Sequence, residues 1–336
     1  MSDNAIEMRN FSFRYQDAKR YSARHLNLGI PEGSICCLIG SNGSGKTTLC
    51  NAVVGLIPHH FPGQCHGEVK VFGTDVANES IANISKSVGF VFQDPYSQLS
   101  YTSSTVAGEL AYGLCNRGVP REQMIQRIRE VAKAVRVEEC LDRNPLELSG
   151  GQVQRVALGS VLALRPRMLV LDECTTQLDP LGAEEIMDIV VNLNKGGMTV
   201  LMADHDMERV GSMADYVVAL EDGSVVAQGS PKEVFCRAGL ERHGVAVPDY
   251  VRIGEGLRSK GLWDGDAVLD EREAVSCVRE ALSLRALRYT ISSLNTTLGD
   301  GLLTELIWKL TAQSRSPYSA KTDQASQRWS SILMRF

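Results

Sequence analysis

The sequence predicts an α/β fold with a largely parallel sheet. Two observations carry this reading. Short apolar runs of strand length alternate with longer segments of helical periodicity. One of those runs, ICCLIG (Ile35 to Gly40), is apolar at every position up to its glycine, as a central parallel strand covered on both faces must be. With 336 residues, 43% of them apolar, the chain can fill the core of one large domain plus an appendage, or of two modest domains. A formal net charge of −5 argues against a constitutive nucleic-acid binder, which shows a basic face. The nine cysteines contain no CxxC spacing, and Cys36 and Cys37 fall inside an apolar run; they read as reduced core residues of a cytosolic protein. The start, MSDNAIEMRN, has no basic segment leading into an apolar one, and no window approaches the ~18 apolar residues of a membrane span.

The elements follow in order. FSFRY (Phe11 to Tyr15) alternates with period 2 and puts Phe11, Phe13 and Tyr15 on one face. After ICCLIG and a glycine-rich loop, KTTLCNAVVGLI reads as a helix. Further strands are expected at EVKVFG, SVGFVFQ, RMLVLDE and TVLMADH. Helical spacing places Met124, Ile128, Val131 and Val135 on one face, and again Val153, Val156, Ala157, Ser160, Val161 and Leu164. A helix from Pro180 is capped by Asp179 and carries Ile186, Ile189, Val190 and Leu193 inward. ADYVVALEDGSVVAQGS is a hairpin turning at Asp222-Gly223, and Ser230 to Glu233 form a capping box. The compact domain is expected over 1–240 and a short, charged, mainly helical extension over 241–282. A Ser/Thr-rich tail fills 283–336, with one apolar helical fragment, GLLTELIWKL.

Three motifs carry chemistry. Gly40, Ser41, Asn42, Gly43, Ser44, Gly45, Lys46 and Thr47 fit the P-loop pattern between a buried strand and a helix. Its glycines let backbone N–H groups converge on an anion at a helix N-terminus. Lys46 would neutralise the β- and γ-phosphates, Thr47 would offer its hydroxyl to Mg2+, and Thr48 follows as a further nucleotide contact. Asp172 and Glu173 end a second apolar strand; there Asp172 would hold Mg2+ and Glu173 would polarise the attacking water. LSGGQ, with Ser149, Gly150, Gly151 and Gln152, combines a capping box with unshielded first amides, a second anion-binding helix end. One nucleotide has one γ-phosphate, so two such ends in a chain pose a geometric problem.

Over residues 6–235 the chain closely resembles the nucleotide-binding subunits of ABC transporters, and that resemblance resolves it. It implies a P-loop NTPase of the ABC type, with an antiparallel β subdomain and a helical signature subdomain beside the parallel core. LSGGQ of one subunit then closes over ATP held by the P-loop of the other. By the same resemblance Tyr15 stacks on adenine, Gln93 of FVFQDP is the Q-loop glutamine and a Mg2+ ligand, Asp179 of TTQLDP is the D-loop aspartate, and His205 of MADHD touches the γ-phosphate. Where the family has EPTSGLDP this chain has ECTTQLDP, with Cys174, Thr176 and Gln177 in place of Pro, Ser and Gly. The carboxylates survive, so hydrolysis is expected to survive.

GLIPHHFPG, FQDPYSQLSYTSSTVAGELAYGL, GVPREQM and VAVPDYVRIGEGLRSKGL narrow the resemblance to the ATPase subunits of energy-coupling factor (ECF) transporters, which power uptake of vitamins and transition-metal ions. The implied partners are a second ABC ATPase, in a homodimer or heterodimer, a transmembrane coupling subunit and a substrate-binding membrane subunit, with no nucleic acid. The implied location is the cytoplasmic face of the membrane. Glu109 matches an acidic position near the coupling subunit, or is a solvated helix charge. His59, His60, Cys65 and His66 have no matching ligand pair elsewhere, so a metal role there is disfavoured. The rival functions are another ABC importer class, or a soluble ABC ATPase that remodels ribosomes or DNA. The latter usually has paired cassettes or coiled-coil insertions, which this chain lacks.

Overall fold

The computed structural model describes residues 4–293 apart from Ala238, Asp266 and Leu269, with side chains as far as Leu282. The fragment GLLTELIWKL lies outside the described residues. The chain divides into two units between Pro248 and Asp249.

In the first unit β1 (Asn4–Tyr15), β2 (Ala23–Pro31), β4 (Gly63–Val71) and β5 (Thr74–Asp75) form an antiparallel sheet in the order β2-β1-β4-β5. The second sheet contains β3 (Ile35–Ile39), β6 (Val88–Val91), β7 (Met168–Asp172), β8 (Thr199–Ala203), β9 (Tyr216–Glu221) and β10 (Ser224–Gly229). Its order is β10-β9-β3-β8-β7-β6. Every pairing in it is parallel except the β9–β10 hairpin. β3, β7 and β8 are buried at every position, which is why they carry no polar alternation. Phe11 and Phe13 of β1 pack in one apolar core with Leu38, Leu49, Leu201 and Val218, so the antiparallel sheet and the parallel sheet share a hydrophobic centre.

Local rules explain most boundaries. Asp222 and Gly223 both have positive φ, 46° and 79°, as the two central residues of the tight hairpin require. The helix Pro231–Phe235 starts on the Ser230–Glu233 capping box. The helix expected over KTTLCNAVVGLI stops sooner, at Lys46–Val53, because Gly55 is left-handed and Ile57 leaves helical geometry before Pro58.

The helices Val106–Asn116, Arg121–Ala134 and Gly150–Leu162 form a helical layer. They cross at Gly159, where a Cβ would sit 3.0 Å from Leu110 and 3.2 Å from both Val131 and Val135. Glu109, on the first of these helices, is 3% exposed. Its carboxylate accepts hydrogen bonds from the Ser100 and Tyr101 backbone N–H groups and the Ser100 hydroxyl. It is therefore not a solvated helix charge: it folds the Ser100–Tyr101 turn onto the helix.

In the second unit the helix Asp249–Ser259 buries Tyr250, Val251 and Leu257, and Gly254 lies against Val268. The helix Glu271–Ser293 follows. Among the described residues no helix is long and apolar enough to cross a membrane.

Candidate functional site

The glycine-rich loop leaves β3 at its C-terminal end and enters the helix Lys46–Val53. Gly40 and Gly45 have φ of 147° and 109°, a region closed to side chains. A Cβ on Gly40 would also strike the Leu220 carbonyl, and one on Gly45 the Ser22 carbonyl. The loop is pressed against the β9–β10 hairpin, whose Gly223 N–H donates to the Ser44 carbonyl at 2.9 Å. The Ser44 hydroxyl is buried, 2% exposed, with no hydrogen-bond partner among the described residues. An orphaned donor inside a ring of glycines fits a phosphate group.

Lys46 is 4% exposed. Its ammonium donates to the carbonyls of Gly40 (3.0 Å) and Ser41 (3.2 Å) and lies 3.4 Å from the Glu173 carboxylate. A buried ammonium needs such acceptors. The Thr47 hydroxyl donates to Asp172 at 3.1 Å, and the Tyr15 and Thr48 hydroxyls stand 3.4 Å apart. The Tyr15 ring is set edge-on between Phe13 and Phe61, with centroids 4.8 and 5.8 Å away.

Parallel register brings the remaining groups to the same sheet edge. Glu173 lies one residue past β7 in a left-handed conformation, φ 52°, held by its N–H on the Ala203 carbonyl. This rarely occupied geometry aims its carboxylate at three partners: His205 Nε2 at 2.6 Å, Gln93 Nε2 at 3.3 Å and Lys46. Gln93 stands outside β6, not at its end, and Gln98 fixes that segment. The Gln98 amide accepts from Phe92 N–H at 3.0 Å and donates to the Phe90 and Ala157 carbonyls at 3.3 Å. Sequence reasoning missed Gln98, since a loop glutamine shows no pattern until its three backbone partners converge.

Ser149 and Gln152 close the expected capping box on the helix Gly150–Leu162. Among the described residues a Cβ on Gly150 or Gly151 would meet nothing within 4 Å, so their packing does not demand glycine there. Asp179 caps the helix Pro180–Lys195 through Gly182 N–H at 3.0 Å. Among the described residues no hydrogen bond or ion pair joins Ser149, Gly150, Gly151, Gln152 or Asp179 to the Glu173 cluster. In the divergent ECTTQLDP segment, the Thr176 hydroxyl donates to the Glu173 carbonyl at 2.9 Å, holding the turn. The Cys174 thiol is pushed up to about 12 by burial and stays neutral.

The Asp172 carboxyl is held above its ordinary pKa, chiefly by burial; the Thr47 hydrogen bond opposes this, the Glu173 charge adds to it, and the Lys46 and His205 charges oppose it. The folded form thus keeps this proton to higher pH than the unfolded chain does. Stability from this group is present below the ordinary carboxylate pKa and lost as pH rises through the raised value. Asp172→Asn, which still accepts from Thr47, is expected to raise the thermal midpoint at neutral pH by about 2–4 °C and to flatten its dependence on acid pH. A scan of thermal midpoint against pH checks both.

The family model for the ABC transporter matches residues 23–176. An ABC transporter ATP-binding protein of Pyrococcus abyssi is 42% identical over 83% of this chain and 99% of its own. The energy-coupling factor transporter ATP-binding protein EcfA1 of Bacillus subtilis is 39% identical over 76% of this chain and 90% of its own. The solved structure of cbiO1 from Clostridium perfringens, part of the ABC transporter complex cbiONQ, has a TM-score of 0.63 at 31% identity and covers 71% of this chain and 94% of that one. A dimeric ATP-binding cassette in a post-hydrolysis state, bound to ADP and Pi, has a TM-score of 0.59 at 27% identity and covers 67% and 98%. With its phosphate-shaped loop and the carboxylate at its mouth, the chain belongs to the ATP-binding subunits of ABC transporters, ATPases that couple hydrolysis to transport, and is of the energy-coupling factor type.

Proposed function

We propose that the chain energises ECF-type uptake of a vitamin or a transition-metal ion, acting as a dimer of ABC ATPases on the cytoplasmic face of a membrane. The observation that carries the catalytic part is the convergence of Lys46, Gln93 and His205 on one carboxylate of Glu173. The loop Gly40 to Thr47 binds the phosphates of ATP through its backbone N–H groups and the unpartnered Ser44 hydroxyl. Lys46 exchanges its carbonyl and Glu173 partners for phosphate oxygens, which frees Glu173 to hold and polarise the attacking water. His205, within reach of Glu173, meets the γ-phosphate, and Tyr15 receives the adenine.

Thr47, Asp172 and Gln93 present oxygen ligands, the donor set that suits Mg2+. They would hold Mg2+, which would supply charge neutralisation to the bound phosphates. The helix end at Ser149 and Gly151 serves the nucleotide of a second subunit. Among the described residues a Cβ on either glycine would meet nothing within 4 Å, and this open surface supports closure against a partner. Asp179 lines the same closing face. Closure with ATP and reopening after hydrolysis do work because nucleotide binds the two states with different affinity.

The similarity to cbiO1, part of a cbiONQ complex, and to EcfA1 supports a transmembrane coupling subunit and a substrate-binding membrane subunit as partners. Purification of the complex from membranes is expected to return a coupling subunit and a small substrate-binding subunit with this chain. Recovery of ribosomal or DNA-processing proteins in their place favours the soluble alternative.

A further inference from the structure

The guanidinium of Arg209 joins two turns of the site. Arg209 lies on the short helix Met207–Met213 and is 21% exposed. Its Nη1 donates to Asp204 Oδ2 at 2.9 Å and to Thr175 Oγ1 at 3.2 Å, and its Nη2 donates to Asp206 Oδ2 at 2.9 Å. Asp204, 6% exposed, uses its other oxygen to accept the N–H groups of His205 (2.7 Å) and Asp206 (2.9 Å). The carboxylates on either side of His205 are therefore both held by one planar fork. The same fork reaches across to Thr175, two residues beyond Glu173. Sequence periodicity marked none of these residues, because Thr175 and Arg209 are 34 positions apart.

A buried carboxylate needs a counter-charge, and neutralising Asp204 alone would account for an ammonium or guanidinium nearby. It does not account for the third acceptor, the neutral Thr175 hydroxyl on the other turn. A guanidinium holds several acceptors in fixed directions and so transmits geometry between them, which an ammonium does not.

We propose that Arg209 is a positioning residue that locks the His205 turn to the turn following Glu173. Through it the His205 and Glu173 side chains keep their 2.6 Å contact, and a displacement of either turn reaches the other. Because Thr175 begins the segment that leads to Asp179, contact of that segment with a partner subunit is felt at His205. This rests on the catalytic reading of Glu173 and His205 given above.

The test is steady-state ATP hydrolysis by the full-length chain, with kcat, ATP KM and thermal midpoint measured for each variant. Arg209→Met keeps the stem and removes the fork; kcat is expected to fall about tenfold with KM changed less than about threefold, because geometry and not ground-state binding is lost. The thermal midpoint is expected to fall because Asp204 loses its counter-charge, so kcat is taken per folded protein well below the variant's midpoint. Arg209→Lys is expected to recover part of kcat, since an ammonium holds a carboxylate without bridging. A kcat per folded protein within about twofold of the unmodified chain for Arg209→Met overturns the proposal.

Thr175→Val preserves side-chain shape and covers the case in which Arg209→Met does not fold. Its kcat is expected to drop about threefold, and an unchanged kcat overturns the bridge. Glu173→Gln runs beside them. If it turns over normally, the catalytic reading itself has failed; if it is silent while Arg209→Met is normal, the clamp alone has failed.

Discussion

Glu173→Gln is expected to reduce steady-state ATP hydrolysis by on the order of a hundredfold or more while leaving ATP binding in place. The substitution keeps the size and the hydrogen-bonding reach of the side chain. Gln in this position still reaches His205, as an amide in place of the carboxylate that stands 2.6 Å from Nε2. The left-handed backbone at φ 52° burdens Gln about as much as Glu, so the turn is not asked to change. What is removed is the negative charge that polarises water in the proposed function. With nucleotide bound and not consumed, the closed dimer accumulates, and size-exclusion chromatography with ATP is expected to show it. Hydrolysis at the unmodified rate would remove Glu173 from the mechanism.

Lys46→Ala is expected to weaken ATP binding by about a hundredfold, because a charge-assisted phosphate contact in a water-poor loop is lost and nothing replaces it. Lys46 is buried, and the Gly40 and Ser41 carbonyls and Glu173 all lose a donor when it is truncated. The diagnostic measurement is the thermal shift on adding ATP. A ligand that binds only the folded chain raises the midpoint by an amount that grows as the logarithm of one plus the ratio of its concentration to Kd, so the shift is expected to nearly vanish in the variant at ATP concentrations a few times the original's Kd. A preserved shift would mean that the loop amides suffice without the lysine. The two variants separate the functions of one cluster: Glu173→Gln binds without turnover, and Lys46→Ala binds weakly.

Much of this arrangement was legible before any coordinates. The buried run at Ile35 to Gly40, the following P-loop, the capping boxes at Ser149 and Ser230 and the Asp222-Gly223 turn all obey rules that act within a few residues. Short-range chemistry of that kind is written in consecutive letters. Where a short-range signal was overruled, another local feature was responsible, as when Gly55 and the Ile57-Pro58 step ended a helix that apolar periodicity had carried further. Glu109 is the opposite case. Its helical position predicted solvent or a partner, and its burial depends on the Ser100–Tyr101 turn folding back over it.

By itself the sequence determined the strand–loop–helix of the phosphate site, the acidic strand end and the second helix terminus, because glycine, capping and apolar patterning act locally. Tertiary structure decided which of those groups meet. Gln93 and Glu173 are 80 residues apart, and they meet because β6, β7, β8 and β3 stack in parallel register. The left-handed turn at Glu173 and the Gln98 and Arg209 bridges exist only where separate segments cross. A hydrogen bond between distant side chains has no signature in either neighbourhood, since its energy depends on the distance between them and not on the residues beside each.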